Sequence, residues 1–407
     1  MQTGARYQAV LDLIEAVWNS DIPADNIIND YMRARKYIGS KDRRFITETV
    51  WNIIRNRMKL SFDAGADEPR KIVLLYLKHY TSDNPEDIFG SGPYAPSALT
   101  DDEKKLLSAE NEKPYPDYVE AECPQWLFAK IKDMVLLKSL NKPAPADFRI
   151  NAKNREAVID GLKKEGYTMV PTLYSPIGLR SEARISLGNC MAYQNGEIEV
   201  QDEASQLAAI LCDVRPENKV IDYCCGAGGK SLAIAYLLNN QGHILAHDIS
   251  SKRLDAIKPR MQRLGIRNIE LTDIIADSDR DFDRFIIDAP CSGTGIYRRS
   301  PDAKFRLTPE TVQKLNYAQK EILETAYPKV RSGGWIIYIT CSVLRDENED
   351  IIEAFLKNKP DMEHVNVREV WERKIARLYP CHDEHYLRLS PATTGTDGFF
   401  LAILRKK

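Results

Sequence analysis

Apolar residues recur along the chain with two different periods, and the change of period predicts three regions. In residues 1–140, apolar positions such as Val10, Ile14 and Val17 repeat every three or four residues, which indicates amphipathic helices. Residues 141–200 hold short apolar runs around one helical stretch, a pattern typical of a small α+β unit. From residue 201 to 407, apolar strands alternate with helices, which favours a mostly parallel, doubly wound α/β sheet. The expected order is an all-α domain, a small α+β unit and an α/β domain.

The strands of the third region are short runs of Ile, Val, Leu and Phe that end in small or polar residues. They are predicted at 220–222, 244–248, 269–271, 285–287, 335–339 and 398–404. After the second of these strands, a helix is expected from Ser250, as its N-cap, through Leu264. In sheets of this kind ligands bind beyond the carboxyl ends of the strands, so the residues after each run are candidates for chemistry.

Two of the strand ends carry a cysteine. The strand at 285–287 runs into Asp288-Ala289-Pro290-Cys291-Ser292-Gly293-Thr294-Gly295, and the strand at 335–339 runs into Thr340-Cys341-Ser342. Because both strands belong to one sheet, we expect Cys291 and Cys341 to lie at the same edge. A buried cysteine is usually inert, but a thiolate at such an edge is a strong nucleophile and suits covalent catalysis.

A glycine-rich turn comes after the strand at 220–222 and allows three interpretations. Its sequence is Cys224-Cys225-Gly226-Ala227-Gly228-Gly229-Lys230. A phosphate-binding P-loop would need glycine in place of Cys224, and a dinucleotide-binding turn would need glycine in place of Ser231. The third interpretation is a turn that brings backbone close to a small ligand. Asp248, about twenty residues further on, can then accept hydrogen bonds from ribose hydroxyls.

Composition and charge restrict the class of protein. No run of about eighteen apolar residues occurs, and residues 1–6 lack an apolar signal core, so we expect a cytoplasmic protein without a membrane segment. In that compartment the eight cysteines should remain thiols. No Cys-x-x-Cys pair is present, so no metal site is expected. The formal net charge is −2, so a nucleic-acid partner would require a local basic surface.

Such a surface is predicted in the first region. Between residues 33 and 59 the acidic residues are only Asp42 and Glu48. The basic residues of the same stretch are Arg33, Arg35, Lys36, Lys41, Arg43, Arg44, Arg55, Arg57 and Lys59. Charge alone leaves two interpretations open, a solvated helix face or a contact with an RNA backbone.

Several of these motifs together resemble one family of enzymes. The stretch Asp222 to Lys230 resembles the first S-adenosylmethionine motif of the RsmB/Sun (Fmu) family of RNA cytosine-5 methyltransferases. Asp288 to Gly295, with the adjoining Arg298 to Asp302, is similar to its fourth motif, and Thr340-Cys341-Ser342 to its sixth. Residues 200–205 and 395–400 resemble further signatures of the family. In the first region, residues 42–45 and the helices around them are similar to a NusB-like RNA-binding domain. The glycine turn departs from the family, because it has an extra glycine in place of a proline.

The resemblance implies a fold, a cofactor and a role for each candidate residue. It implies a Rossmann-like class I methyltransferase domain over 201–407, a small α+β unit over 141–200 and a NusB-like domain over 1–140. Cys341 is implied as the nucleophile, Cys291 as the group that assists release, Asp288 as a contact to base and cofactor, and Lys230 as the residue that orients Asp288 or the base. The implied S-adenosylmethionine site consists of Cys224, Cys225, Gly226, Ala227, Gly228, Gly229, Lys230, Asp248, Arg253, Asp273 and Asp288.

The resemblance thus predicts an enzyme that methylates carbon 5 of a cytosine in RNA, with small-subunit ribosomal RNA as its expected substrate. We expect the enzyme to be a monomer. A transfer-RNA cytosine-5 methyltransferase is one alternative. A ribosome assembly factor that binds RNA and has lost turnover is another. The presence of Asp288, Cys291 and Cys341 argues against the second alternative.

Overall fold

The computed structural model describes residues 1–110, 113–182, 185, 187–276 and 278–407. Residue contacts divide the chain into two compact units. The first unit consists of Met1–Pro143 and Ile296–Leu307, and the second of Ala144–Gly295 and Thr308–Lys407. In the described part of the chain, none of the helices combines the length and apolar character needed to cross a membrane.

The secondary structure described within residues 1–143 is helical. The helices are α1 (Thr3–Trp18), α2 (Ala24–Ala34), α3 (Ser40–Arg55), α4 (Arg57–Ala64), α5 (Pro69–Tyr80), α6 (Pro85–Ile88), α7 (Asp101–Ser108), α8 (Asp117–Glu120), α9 (Gln125–Ile131) and α10 (Met134–Leu140). Helices α1, α3 and α5 bury their apolar faces against one another, with Ile14, Ile53 and Leu74 fully enclosed. The helical periodicity of the sequence arises from this shared core.

The rest of the chain contains, in order, β1 (Ala146–Ile150), α11 (Arg155–Lys164), β2 (Val170–Pro171), β3 (Gly178–Ser181), α12 (Met191–Gln194), β4 (Ile198–Val200), α13 (Glu203–Leu211), β5 (Lys219–Asp222), α14 (Gly229–Leu237), β6 (His243–His247), α15 (Ser251–Asp255), α16 (Ile257–Leu264), β7 (Ile269–Thr272), β8 (Phe282–Asp288), α17 (Ala303–Arg306), α18 (Pro309–Ala326), β9 (Val330–Thr340), α19 (Glu349–Asn358), β10 (Met362–His364), α20 (Val367–Lys374), β11 (Tyr386–Leu389) and β12 (Phe399–Lys406).

The second unit contains two sheets. The small sheet has the order β2-β3-β1-β4 and packs against α11 and α12. The large sheet has the order β10-β12-β9-β8-β5-β6-β7, with β11 also paired to β12. Strands β9, β8, β5, β6 and β7 are parallel, whereas β12 runs antiparallel to β9, β10 and β11. The predicted α/β fold is therefore confirmed, and its parallel part is the part that carries the candidate motifs.

Both faces of the large sheet are covered, which explains why its strands read as continuous apolar runs. On one face Ile286 and Ile337 pack with α13, α14 and α20. On the other face Phe285 and Ile336 pack with α18 and α19. All four side chains are fully buried, so β8 and β9 are fixed at the centre of the unit.

One predicted helix is interrupted. The helix expected from Ser250 through Leu264 is two helices, α15 and α16, and the side chain of Ser250 makes no capping hydrogen bond. Pro259 lacks the N–H group that would donate to the carbonyl of Asp255, so a continuous helix would lose that bond. The chain therefore begins a new helix at Ile257.

The segment Ile296–Leu307 belongs to the helical unit although it comes after β8 in sequence. The buried Arg55 guanidinium at the end of α3 donates to the carbonyls of Asn141, at 2.9 Å, and Arg298, at 2.8 Å. The Ala24 N–H donates to Asp302 at 2.9 Å. Burial, together with Arg298, lowers the pKa of Arg55 to about 10. The chain thus leaves the second unit immediately after Gly295 and re-enters it at Thr308.

Arg55→Met should lower the stability of the helical unit, because two carbonyl groups lose their donor. We expect a loss of about 2–4 kcal/mol. Arg44→Met is the matched control, since Arg44 lies on the same helix and is exposed, and it should change stability by less than about 0.5 kcal/mol. Urea unfolding of the full chain measures both variants. Equal midpoints for the two would show that the Arg55 bonds contribute nothing.

Candidate active site

Three adjacent strands deliver the candidate residues to one edge of the large sheet. Strands β5 and β8 are parallel neighbours, as are β8 and β9, and they end at Asp222, Asp288 and Thr340. In the register Asp288 lies opposite Ile339, and the next N–H group, that of Ala289, donates to the Ile339 carbonyl at 2.9 Å. The loops after β8 and β9 therefore start side by side.

The structure brings the two strand-end cysteines together. The sulfur atoms of Cys291 and Cys341 lie 3.4 Å apart, and both residues are half-buried. The hydrogen bond to Cys341, and then burial, raise the pKa of the Cys291 thiol well above its usual range. Cys291 therefore keeps its proton beside the Cys341 sulfur.

Lys230 and Asp288 form an ion pair beside the cysteines. The Lys230 ammonium lies 2.5 Å from the Asp288 carboxylate. Burial lowers the pKa of Lys230, but Asp288, Asp222 and Cys341 together raise it more, so the lysine remains charged. The lysine side chain is 8% exposed and that of the aspartate is 37% exposed. The pair thus presents a carboxylate outward, with a buried cation behind it.

Asp222 is a further charged group at this edge that the sequence analysis did not assign. It is fully buried at the end of β5 and accepts a hydrogen bond of 2.5 Å from Ser231. Burial raises its pKa to about 6. Its Oδ1 atom has no hydrogen-bond partner in the described residues. The sequence motif that begins at Asp222 gives the position of this carboxylate along the chain but not its depth of burial.

The glycine turn connects β5 to α14 and leaves space at its tip. Gly226 and Gly228 have φ angles of +56° and +78°, in the left-handed region that favours glycine. A Cβ atom on Gly228 would lie 3.0 Å from Ile257, whereas a Cβ atom on Gly226 would meet nothing within 4 Å. The turn therefore packs tightly on one side and stays open on the other, and Gly229 begins α14.

The two cysteines of this turn have a structural environment. Burial is the main cause that raises the pKa of both Cys224 and Cys225, so both remain thiols. The Cys225 N–H donates to the His247 carbonyl at 2.9 Å, which ties the turn to β6. The Ala227 carbonyl accepts a bond from Arg260. These contacts fix the backbone of the turn, and neither cysteine provides a reactive thiolate.

The structure places the remaining candidates beyond β6 and β7. Asp248 is buried and accepts the N–H groups of Gly226, at 3.0 Å, and Ser250, at 2.9 Å. A guanidinium nitrogen of Arg253 lies 3.7 Å from Asp248. Asp273 comes directly after β7 and is exposed. Asp248 thus joins the glycine turn to the end of β6, while Asp273 stands one strand further from the cysteines.

Two exposed apolar side chains at the same strand ends were missed in the sequence. Ile249 comes after Asp248 and is 90% exposed, and Ile274 comes after Asp273 and is 74% exposed. Apolar side chains exposed to this degree beside a concave sheet edge often mark a binding surface. In the sequence, each of these side chains is marked by an isoleucine directly after an aspartate at a strand end, a pattern that could have identified them.

Residues of the flanking sequence signatures, 200–205 and 395–400, form hydrogen bonds to the loops of the site. The Gly295 N–H donates to the Cys341 carbonyl at 2.9 Å, and the Gly398 N–H donates to the Gly295 carbonyl at 2.8 Å. A Cβ atom on Gly295 would lie 2.1 Å from the Gly398 carbonyl oxygen, so only glycine fits there. Gln201 donates to the Gly229 carbonyl at 3.0 Å and accepts from the buried Arg149 at 2.9 Å. Gln201 thus links Arg149, on β1 of the small sheet, to the glycine turn.

The basic stretch of the helical unit has two parts. Arg43 donates to the Ile38 carbonyl at 2.8 Å, Arg57 pairs with Asp67 and Arg55 is buried, so these residues stabilise the unit itself. The exposed basic residues are Arg33, Lys36, Lys41 and Arg44. Asp42, one of the two acidic residues of this stretch, accepts a hydrogen bond of 2.6 Å from Arg6.

Comparison with known proteins assigns the chain to a family. The family model "16S rRNA methyltransferase RsmB/F" matches residues 209–405. A probable ribosomal RNA small subunit methyltransferase B of Bacillus subtilis is 31% identical over 303 residues, which cover 71% of this chain and 67% of that protein. The aligned region thus spans about two thirds of the relative. Residues 1–140 lie outside the family match, so their likeness to a NusB domain stays a prediction.

Two solved structures share the fold. The crystal structure of PH0851 covers 100% of this chain and 99% of its own, with a TM-score of 0.79 and 22% identity. NSun6 from Pyrococcus horikoshii, solved with SFG, covers 69% of this chain and 96% of its own, with a TM-score of 0.61 and 22% identity. Taken with the strand-end motifs, the family match and the Bacillus relative show that this chain belongs to the RsmB/F family of methyltransferases, whose cofactor is S-adenosylmethionine.

Proposed function

We propose that this chain transfers a methyl group from S-adenosylmethionine to carbon 5 of a cytosine in RNA, through a covalent adduct with Cys341. The observation that carries the proposal is the pair of sulfur atoms 3.4 Å apart, beside the Lys230–Asp288 ion pair. Carbon 5 of cytosine is a poor nucleophile until a thiolate has added to carbon 6. A site for this reaction needs an attacking thiolate, a group that assists release and a polar contact to the base.

The chain offers groups that fit the cofactor. The open side of Gly226 admits a ligand close to backbone, and Asp248 can accept ribose hydroxyls with the lone pairs that its backbone donors leave free. Ile249 and Ile274 can cover the two faces of an adenine ring, with Asp273 at its edge. The turn is held in shape by backbone groups: the Gly228 N–H donates to the Cys225 carbonyl, and the carbonyls of Ala227 and Gly229 accept from Arg260 and Gln201. Arg253 lies 3.7 Å from Asp248 and balances its charge. When bound, the cofactor supplies an electrophilic methyl group.

The cysteines divide the reaction between them. The Cys341 thiolate adds to carbon 6, so a bond from sulfur to carbon forms and electron density moves to carbon 5. After methylation the proton on carbon 5 must leave and the sulfur–carbon bond must break. The main cause of the raised pKa of Cys291 is its hydrogen bond to Cys341. That cause disappears once the Cys341 sulfur is bonded to carbon, so Cys291 gives up its proton more readily at the stage that requires a base.

Asp288 and Lys230 act on the base as a unit. The exposed Asp288 carboxylate can accept hydrogen bonds from the edge of cytosine, and the buried Lys230 fixes its position and offsets its charge. The charge of Cys341 is one of the causes that raise the pKa of Lys230, so the two groups lie close together.

Small-subunit ribosomal RNA is the proposed substrate, because the Bacillus relative bears that activity in its name and the family model does the same. The exposed basic residues Arg33, Lys36, Lys41 and Arg44 are the proposed contacts to its backbone. The target cytosine must lie in a loop or be unstacked for the thiolate to reach carbon 6. A transfer-RNA substrate would use the same chemistry. Methyl transfer from labelled cofactor to each RNA class, from cells that lack the enzyme, distinguishes them.

The two cysteine variants should differ in kind. Cys341→Ala should abolish methyl transfer and any covalent adduct with RNA. Cys291→Ala should attack and methylate, but stall before release, and so accumulate an adduct that survives denaturing electrophoresis and disappears on nuclease digestion. Cys381→Ala, away from the site, should behave as wild type. An adduct with Cys341→Ala and none with Cys291→Ala would reverse the two roles. If both variants keep wild-type methyl transfer and wild-type product release, covalent catalysis is refuted.

Asp248→Ala should weaken cofactor binding about 10- to 100-fold, because a charge-assisted hydrogen bond to the ribose is lost. Asp273→Ala should cause a smaller loss, and RNA affinity should not change in either variant. Asp255→Ala is the control, since Asp255 is exposed and pairs only with Lys258 in the described contacts. Titration calorimetry with S-adenosylmethionine measures all three. An unchanged dissociation constant for Asp248→Ala would exclude Asp248 from the cofactor site.

Reversal of Lys41 and Arg44 to Glu should weaken RNA binding and reduce the dependence of log K on log salt by up to about 1.4, or about 0.7 for each lost phosphate contact. Arg43 is left intact, because it supports the Ile38 carbonyl. Reversal of Lys104 and Lys105 is the control, since both are exposed on α7 of the same unit. Equal salt slopes for the two double variants would show that the α3 charges form only a solvated face.

A further inference from the structure

A buried carboxylate joins the two cysteine loops. Glu347 lies between β9 and α19 and is fully enclosed. It accepts the Ser292 N–H at 2.8 Å, the Ser292 hydroxyl, the Ser342 hydroxyl at 2.5 Å and the Gln319 amide at 3.2 Å. Four donors on one carboxylate offset the free energy cost of burying it.

The residues that donate to Glu347 are sequence neighbours of the two cysteines. Ser292 comes directly after Cys291, and Ser342 directly after Cys341. Gln319 also donates to the carbonyl of Pro290, on the other side of Cys291, at 2.9 Å. Glu347 therefore accepts hydrogen bonds from the residue after each cysteine. Through Gln319 it is also connected to Pro290, the residue before Cys291.

We propose that Glu347 is a positioning residue that holds the Cys291 loop at working distance from Cys341. The inference rests on the proposed roles of the two cysteines. Glu347 touches neither sulfur among the described contacts, so it acts through Ser292 and Ser342.

The contacts of Glu347 are unequal, and this predicts which step depends on it more. The Cys291 loop donates two hydrogen bonds to Glu347, from the backbone and the side chain of Ser292, whereas the Cys341 loop donates one, from the hydroxyl of Ser342. Cys341 also comes immediately after β9, and its carbonyl is held by Gly295. Loss of Glu347 should therefore displace Cys291 more than Cys341. Release of the product should slow more than attack.

Glu347→Gln should raise the fraction of enzyme trapped as an RNA adduct at least fivefold above wild type, and should lower kcat about 10- to 100-fold, the effect of an ångström-scale displacement. The cofactor dissociation constant should change less than twofold. A purely structural role would reduce the amount of folded enzyme without raising the adduct per folded molecule. Glu353→Gln is the matched control, because Glu353 is an exposed acid on α19 that pairs with Arg345, and it should behave as wild type.

Single hydroxyl deletions keep the test decisive if Glu347→Gln does not fold. Ser292→Ala should raise the adduct fraction, whereas Ser342→Ala should slow attack and leave that fraction at the wild-type level. No adduct in Ser292→Ala or Glu347→Gln, while Cys291→Ala traps one, would overturn the positioning role and leave the proposed function intact. No adduct in Cys291→Ala would instead refute the proposed roles of the cysteines.

Discussion

The close approach of three backbones holds the candidate site together. The carbonyl oxygen of Gly398 lies where a side chain of Gly295 would begin, and the Gly295 N–H bonds to the carbonyl of Cys341. The loops after β8 and β9 and the start of β12 therefore meet with no side chain between them. Any larger residue at 295 would push the Cys291 loop away from the Cys341 loop. The 3.4 Å distance between the sulfurs depends on this contact, and with it every chemical role proposed for the pair.

Electrostatics then distinguishes groups that are similar in sequence. Three carboxylates, Asp222, Asp288 and Glu347, lie near the same sheet edge, but only Asp288 is substantially exposed. Asp222 is held by Ser231, and Glu347 by hydroxyl and amide donors, so both serve the scaffold. Asp288 is backed by the buried Lys230 and faces outward. The burial of each acid, and not its position in a motif, decides which of them can meet a substrate.

Features that depend on strand order and on local pattern could be predicted from the sequence. Apolar runs located β5, β8 and β9, and the rule that parallel strands share a carboxyl edge placed Cys291 and Cys341 together. Contacts between distant residues could not be predicted in this way. Arg55 and Arg298 are 243 positions apart, and the residues from 296 to 307 carry no pattern that assigns them to the helical unit. Glu347 and Asp222 were missed for a related reason, since an acid looks the same in sequence whether its surroundings are water or buried donors.

The two thiols are held by different means, and the difference suits the order of the reaction proposed above. Cys341 comes directly after β9, a strand buried on both faces, so its position is fixed before any substrate arrives. Cys291 lies in a loop that begins at Asp288 and ends at Gly295, where the chain passes into the helical unit, and its place is set by hydrogen bonds. A nucleophile must be aligned for attack at one carbon, which favours a rigid mount. The group that assists release must adjust to a sulfur that has already moved into a bond, and a loop held by hydrogen bonds can make that adjustment where a central strand cannot.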